Sequence, residues 1–135
     1  MADLELVRSS QEECEYVHTR LQEYNRPYMD ESMDFSFHIE DGGRIVAGIV
    51  AESTMDTLKV AFLFVDEAYR GRGLGKRLLL HVEEEAKRKG MERVLLNTYS
   101  FQAPGFYRAM GYEELLCIDP CFGKYSQHFF SKMLS

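Results

Sequence analysis

The sequence predicts an α/β fold in a single domain. Three observations carry this: a hairpin pattern over residues 35–52, an almost continuous apolar run from Leu58 to Val65 entering a glycine-rich turn, and an amphipathic helical pattern directly after that turn. A chain of 135 residues, 45% hydrophobic and 28% charged, is sized for one core that needs neither disulfides nor metal.

Leu4 to Val7 reads as a short strand, and Ser9-Ser10 before Glu12-Glu13 offers a capping box in either register. Cys14, Val17, Leu21 and Tyr24 then recur at helical spacing, with the helix ending before Arg26-Pro27. Tyr28 to Asp34 is polar and acidic and reads as a loop. Phe35 to Ile39 alternates with period two, Asp41-Gly42-Gly43 supplies turn chemistry, and Arg44 to Glu52 resumes as an apolar strand. After a turn at Ser53 to Thr57, Leu58 to Val65 has the composition of a strand buried on both faces. Leu74, Leu78, Val82 and Ala86 stripe the next helix. Glu83/Lys87, Glu84/Arg88 and Glu85/Lys89 are placed for i,i+4 ion pairs on a solvated face, and Gly90 closes the helix. Val94 to Tyr99 is a strand, Ser100 is placed to cap a short helix through Pro104 and Tyr107 to Met110, and Gly111 stops it. Tyr112 to Ile118 and His128 to Leu134 read as two last strands, joined by an Asp119-Pro120 turn and a loop containing Gly123.

Sixteen basic against 22 acidic residues leave a net charge of −6, which opposes a dedicated nucleic-acid binder and a polybasic membrane anchor. The charge is uneven. The first 42 residues hold eleven acids and three arginines, whereas Ala68 to Leu80 holds four basic residues and no acid. The N-terminal Met-Ala-Asp-Leu-Glu-Leu-Val-Arg has no basic segment followed by an apolar one, and no stretch approaches the ~18 apolar residues of a membrane span, so a cytoplasmic protein is expected. Cys14, Cys117 and Cys121 are odd in number and lack Cys-x-x-Cys spacing, and Cys117, Cys121 and His128 do not follow a familiar zinc pattern. Neither disulfide nor metal is expected.

A buried strand, the loop Arg70-Gly71-Arg72-Gly73-Leu74-Gly75 and then a helix together make an anion site, because the unpaired N–H groups of the first helical turn face the loop. Phosphate is the natural guest. The register excludes two known phosphate loops: Arg70 and Arg77 stand where a nucleoside-triphosphate loop needs Gly and Ser or Thr, and Lys76 stands where the dinucleotide fingerprint needs its third glycine. What remains is Arg-x-x-Gly-x-Gly at Arg70, Gly73 and Gly75, with Val65 five residues upstream, followed by Ala103-x-x-Phe106-Tyr107-x-x-x-Gly111-Tyr112.

Both motifs, in this order, resemble those of the GNAT acetyltransferase family. The resemblance covers essentially the whole chain. It implies a mixed, mostly antiparallel sheet of about six to seven strands, splayed at its centre and flanked by about three to four helices. It further implies an N-acetyltransferase using acetyl-CoA as cosubstrate and an amine acceptor as the second partner, with a homodimer left open. Backbone N–H groups from Gly71 through Leu74 to Gly75 would hold the pyrophosphate, with Arg70 and Arg72 adding charge. Lys76 joins this set, although a lysine there more often solvates the helix than binds ligand. Leu63-Phe64-Val65 would pair with the pantetheine arm and the thioester oxygen, while Phe106 and Ser100, where the family often has Asn, would complete the cofactor side. Tyr107 corresponds to the family's general acid; read from the residues alone it is more often a core aromatic, and the resemblance reverses that. Histone-type members carry a Glu six residues before the strand-ending Val, where this chain has Lys59, leaving Glu52 and His38 as candidate bases, acting directly or through water. The acidic N-terminal third suits a small cationic amine as acceptor. A protein or peptide acetyltransferase and a non-catalytic CoA-binding sensor remain as alternatives.

Overall fold

The computed structural model describes residues 3–29 and 32–134. Contacts divide the chain into two compact units, Met1–Asp30 and Glu31–Ser135.

In the first unit, helix α1 (Gln11–Asn25) starts on a capping box in the Ser10/Glu13 register: the Glu13 N–H donates to Ser10 Oγ and the Ser10 N–H to the Glu13 carboxylate. Residues 4–7 are not a strand: this short segment pairs with nothing among the described residues.

The second unit is built on a seven-stranded sheet in the order β1-β3-β4-β5-β7-β6, with β2 also paired to β3. Strands β2 (Phe37–Asp41) and β3 (Arg44–Thr54) form the expected hairpin, closed by Gly42 and Gly43 at φ +59° and +82°. β1 (Ser32–Asp34) lies in the stretch expected to be loop. Its three residues are too short to show alternation, yet they pair with Glu52 to Thr54 of β3. β4 (Thr57–Val65) runs antiparallel to β3, and β5 (Arg93–Tyr99) runs parallel to β4. β6 (Glu113–Cys121) and β7 (Tyr125–Met133) close the sheet as an antiparallel hairpin, β7 lying against β5. β6 continues through Asp119-Pro120, expected as a turn, because an edge strand tolerates a residue without an N–H.

Helices α2 (Leu74–Arg88) and α3 (Pro104–Ala109) cover one face of this sheet. Leu79, Val82 and Ala86 of α2 and Tyr107 of α3 join Ile49, Leu58, Val94 and Phe130 in one core. β4 is therefore not buried on both sides along its length: Leu58 and Val60 are buried, and past a bulge at Ala61 Phe62 and Phe64 are exposed while Leu63 and Val65 are half-buried. The charged face of α2 also departs from expectation. Glu85 pairs with Arg88 at 2.9 Å, and Glu83 is buried instead of solvated.

Candidate active site

The site is a gap in the sheet. Parallel pairing of β4 with β5 lasts three residues, from Thr57↔Arg93 to Lys59↔Leu95, and then the strands part. β4 keeps its other edge on β3 and β5 keeps its other edge on β7, so the backbone groups that face each other beyond Lys59 have no strand partner. The resulting wedge is a cleft of about 860 Å³. Val60 to Val65 form one wall, Leu96, Asn97 and Thr98 the other, and the start of α2 closes the wide end.

At that end β4 passes through a 3₁₀ turn (Glu67–Tyr69) into the glycine-rich loop. Gly71 and Gly73 have φ +80° and +75°, a left-handed backbone that L side chains avoid, and Gly73 is the N-cap of α2. The first helical bond runs from the Arg77 N–H to the Gly73 carbonyl, so the N–H groups of Leu74, Gly75 and Lys76 precede it. With the positive end of a fifteen-residue helix behind them, they form an anion cradle. A Cβ at Gly75 would lie 3.6 Å from Val65 Cγ2 and 3.8 Å from Phe106 Cζ, ordinary contact distances that mark how closely strand, loop and α3 meet here. A phosphate carried on a long flexible arm fits this shape, with the phosphate on the cradle and the arm along the strand edges.

The cleft gathers most of the residues singled out from sequence: Leu63, Phe64, Val65, Arg70, Gly71, Gly73, Leu74, Gly75, Lys76, Phe106 and Tyr107. Arg70 Nε donates to the Val65 carbonyl at 3.1 Å, tying the loop to the end of β4. Arg72 is not among the lining residues. Its guanidinium lies 4.9 Å from the centre of the Tyr69 ring, whose hydroxyl donates to Asp41. Ser100 is also outside the lining and does not cap α3, whose N-cap is Ala103; its hydroxyl accepts the Ser126 N–H at 3.0 Å, latching the end of β5 to β7. Gln102 performs the local turn closure instead, its amide oxygen accepting the Tyr99 N–H and the Thr98 hydroxyl.

Tyr107 is buried on α3 among Phe106, Tyr112 and Phe130, with ring centroids 5.2, 5.8 and 6.0 Å away. Burial pushes its phenol up to about 12, so it remains a proton donor. Neither candidate base lines the cleft. Glu52 sits on β3 opposite Lys59, at the closed end of the wedge, where its carboxylate accepts the Ser32 hydroxyl at 2.6 Å. His38, on β2 opposite Gly48, is 2.7 Å from Glu40.

Two buried polar networks support α3. Glu83 accepts from the Tyr112 hydroxyl at 2.6 Å and from Lys132 Nζ at 2.9 Å, and Lys132 also donates to the Met110 carbonyl at the end of α3. Burial and the Glu83 carboxylate push the Tyr112 phenol above its ordinary value. His128 stands between Ser126 Oγ at 2.8 Å and Glu114 at 2.5 Å, and the bonds to His128 and Arg108 hold the Glu114 carboxyl below the usual range. Asn97 was not anticipated as a lining residue; a polar side chain interrupting the apolar run Val94-Leu95-Leu96 was the available signal.

The site is thus a sheet that opens beside an anion cradle, with the Tyr107 phenol lining the gap. Residues 4–112 match the Acetyltransferase (GNAT) family, and the chain belongs to that family. Its sequence is 39% identical over 71 residues to the blasticidin-S acetyltransferase of Streptomyces morookaense, a match spanning about half of each chain (52%). An acetyltransferase structure from Bacillus cereus superimposes with a TM-score of 0.84 at 32% identity, over 96% of this chain and 97% of that one. A protein from Bacillus anthracis, solved in complex with acetyl coenzyme A, shares the fold with a TM-score of 0.66 at 19% identity, over 80% of this chain and 66% of that one.

Proposed function

We propose that this protein is an N-acetyltransferase, moving an acetyl group from acetyl-CoA to the primary amine of a small cationic molecule in a ternary complex. The observation that carries this reading is the parting of β4 from β5 at the anion cradle on α2. The family match crosses the boundary between the two units, which supports reading residues 1–135 as a single GNAT domain. The free cysteines suit a reducing cytoplasm.

Acetyl-CoA supplies an acetyl thioester. The N–H groups of Leu74, Gly75 and Lys76 bind its pyrophosphate, with Arg70 adding positive charge at the cleft. The free strand edge at Leu63-Phe64-Val65 aligns the arm and offers a backbone donor to the thioester oxygen, a kind of contact worth about 3–4 kcal/mol in acyl transfer. As the amine nitrogen bonds to the carbonyl carbon and the C–S bond breaks, Tyr107 gives its proton to the departing sulfur. The amine proton leaves through water, directly or toward Glu52 or His38, since both lie outside the lining.

A non-catalytic CoA sensor is the second reading, favoured by the absence of both candidate bases from the cleft lining. Thiol release from acetyl-CoA across an amine panel, with calorimetric titration of CoA alongside, separates the two. Amine-dependent thiol release is expected. Binding without turnover would establish the sensor, and neither binding nor turnover would overturn both. Exclusive use of anionic amino acids would remove the cationic acceptor, and turnover confined to peptide lysines or N-termini would replace the small molecule with a protein.

A further inference from the structure

We propose that four aromatic rings beside the cleft form a binding site for a flat, uncharged ring on the acceptor; the proposal rests on the acetyl-transfer reading and names the class of amine it uses. Tyr99, Phe101, Phe122 and Tyr125 line a second cavity of about 310 Å³, and Phe101 lines both this cavity and the main cleft. Phe101 is therefore a wall common to the two sites.

The rings come from two places held together by the sheet. Tyr99 ends β5 and Phe101 follows it, while Phe122 begins the β6–β7 turn and Tyr125 opens β7. Tyr99 and Phe101 are parallel within 9°, with centroids 5.6 Å apart. Phe122 stands edge-on to Tyr99 at 5.4 Å and 85°, and Tyr125 is inclined to Phe101 by 63° at 4.8 Å. Two parallel rings and two upright ones present both faces and edges, the arrangement in which another aromatic ring gains most. Phe101 and Phe122 nevertheless remain 62% and 66% exposed, an apolar cost that an occupant would relieve.

The position is on the side an acceptor needs. Val94, Leu96 and Thr98 of β5 are buried on the helix-covered face, so by alternation Leu95, Asn97 and Tyr99 project from the other face, away from α2 and its phosphate cradle. Charge decides between a neutral ring and a bare cation. Lys124 Nζ lies 5.6 Å from the Tyr125 ring centroid, so a cation already occupies the neighbourhood, and among the described residues no carboxylate lines the cavity to balance a second. The acceptor that satisfies both sites is a primary amine whose short chain ends in an aromatic or heteroaromatic ring.

Acetyl transfer to 2-phenylethylamine, 2-cyclohexylethylamine and an amine of similar length ending in trimethylammonium tests this. The wild-type kcat/KM is expected to favour the phenyl compound over the cyclohexyl one by about tenfold. Phe122→Leu and Tyr125→Leu, which keep apolar area and remove the ring, should each reduce that preference to about threefold or less without changing the KM for acetyl-CoA. Equal use of phenyl and cyclohexyl amines, a preference for trimethylammonium, or a preference untouched by both variants would overturn the site. Ring binding is read without turnover by saturation-transfer NMR of 2-phenylethylamine, where strong transfer to its ring protons is expected in the wild type and at most half of it in the variants. Ring binding lost in the variants, with no thiol release from any amine, would uphold this site and overturn acetyl transfer; turnover without ring preference would do the reverse.

Discussion

Glu83→Ala should be among the most damaging single changes outside the cleft. The side chain is buried and accepts two bonds, one from the Tyr112 hydroxyl and one from the Lys132 ammonium. A hydrogen bond involving a charged group contributes about 1.5–3 kcal/mol, and stranding its partners adds their desolvation. Lys132 retains its bond to the Met110 carbonyl and is one-quarter exposed, so water recovers part of its loss. Taking the lower part of each range gives about 3–4 kcal/mol. A chain of this length loses about 0.28 kcal/mol per degree near its melting point, so the fall in Tm is about 10–14 °C. Calorimetry, with urea unfolding as an independent reading, measures it. Glu83→Leu combined with Lys132→Met should recover part of the loss, because replacing both members of a buried pair costs less than removing one, while the Tyr112 hydroxyl still lacks its acceptor. A fall under about 3 °C for Glu83→Ala, or simple additivity in the double variant, would refute the account of Glu83 as the bond joining α2, α3 and β7.

Tyr107→Phe is expected to lower kcat at least about tenfold with little change in CoA affinity by calorimetry, the pattern for loss of a proton donor; an unchanged kcat would remove Tyr107 as the acid. With the phenol pushed up to about 12, the pH–rate profile should show no falling limb from this group below about pH 11. The same shift sets the sign for stability: the folded state holds this proton more tightly, so its contribution is full below about pH 10 and is lost as pH rises toward 12, visible as a falling alkaline Tm that Tyr107→Phe flattens. Gly73→Ala should cost about 1–2 kcal/mol, purely from its left-handed backbone, because nothing lies within 4 Å of the added Cβ. Gly75→Ala, whose new Cβ makes ordinary contacts, should leave Tm nearly unchanged, and similar Tm losses for the two would contradict this distinction.

Legibility in the sequence followed the range of the interactions. The β2–β3 hairpin, α2 and the Arg70-to-Gly75 turn were readable because their causes are local: turn glycines, alternation and helical spacing. Glu83 was misread because its partners, Tyr112 and Lys132, lie 29 and 49 residues away, and nothing in the run Glu83-Glu84-Glu85 marks one of three carboxylates as buried. Ser100 was misread for the same reason. It has the chemistry of a helix cap, but the N–H it receives belongs to Ser126, across the sheet. In the site, the phosphate cradle was legible, whereas the divergence of β4 and β5 was expected only through family resemblance, since it depends on where pairing stops.

The three-residue pairing of β4 and β5 also makes the sheet a lever. One jaw is β1 to β4, the other β5, β7 and β6, and between the strands the fulcrum is Thr57–Lys59 against Arg93–Leu95. It is pinned at its tip: Arg93 Nη1 reaches Asp56 at 3.2 Å and Thr57 Oγ1 at 3.1 Å, while the Glu92 N–H donates to the Asp56 carbonyl at 2.7 Å. From Lys59 to Val65 the arm is about 20 Å long, so a rotation of about 3° at the pin moves its far end by about 1 Å. An error of that size in aligning reacting groups can cost about a hundredfold in rate. A substitution at Asp56 or Arg93, at the end of the sheet opposite the cradle, is therefore expected to be felt as a change of alignment in the cleft.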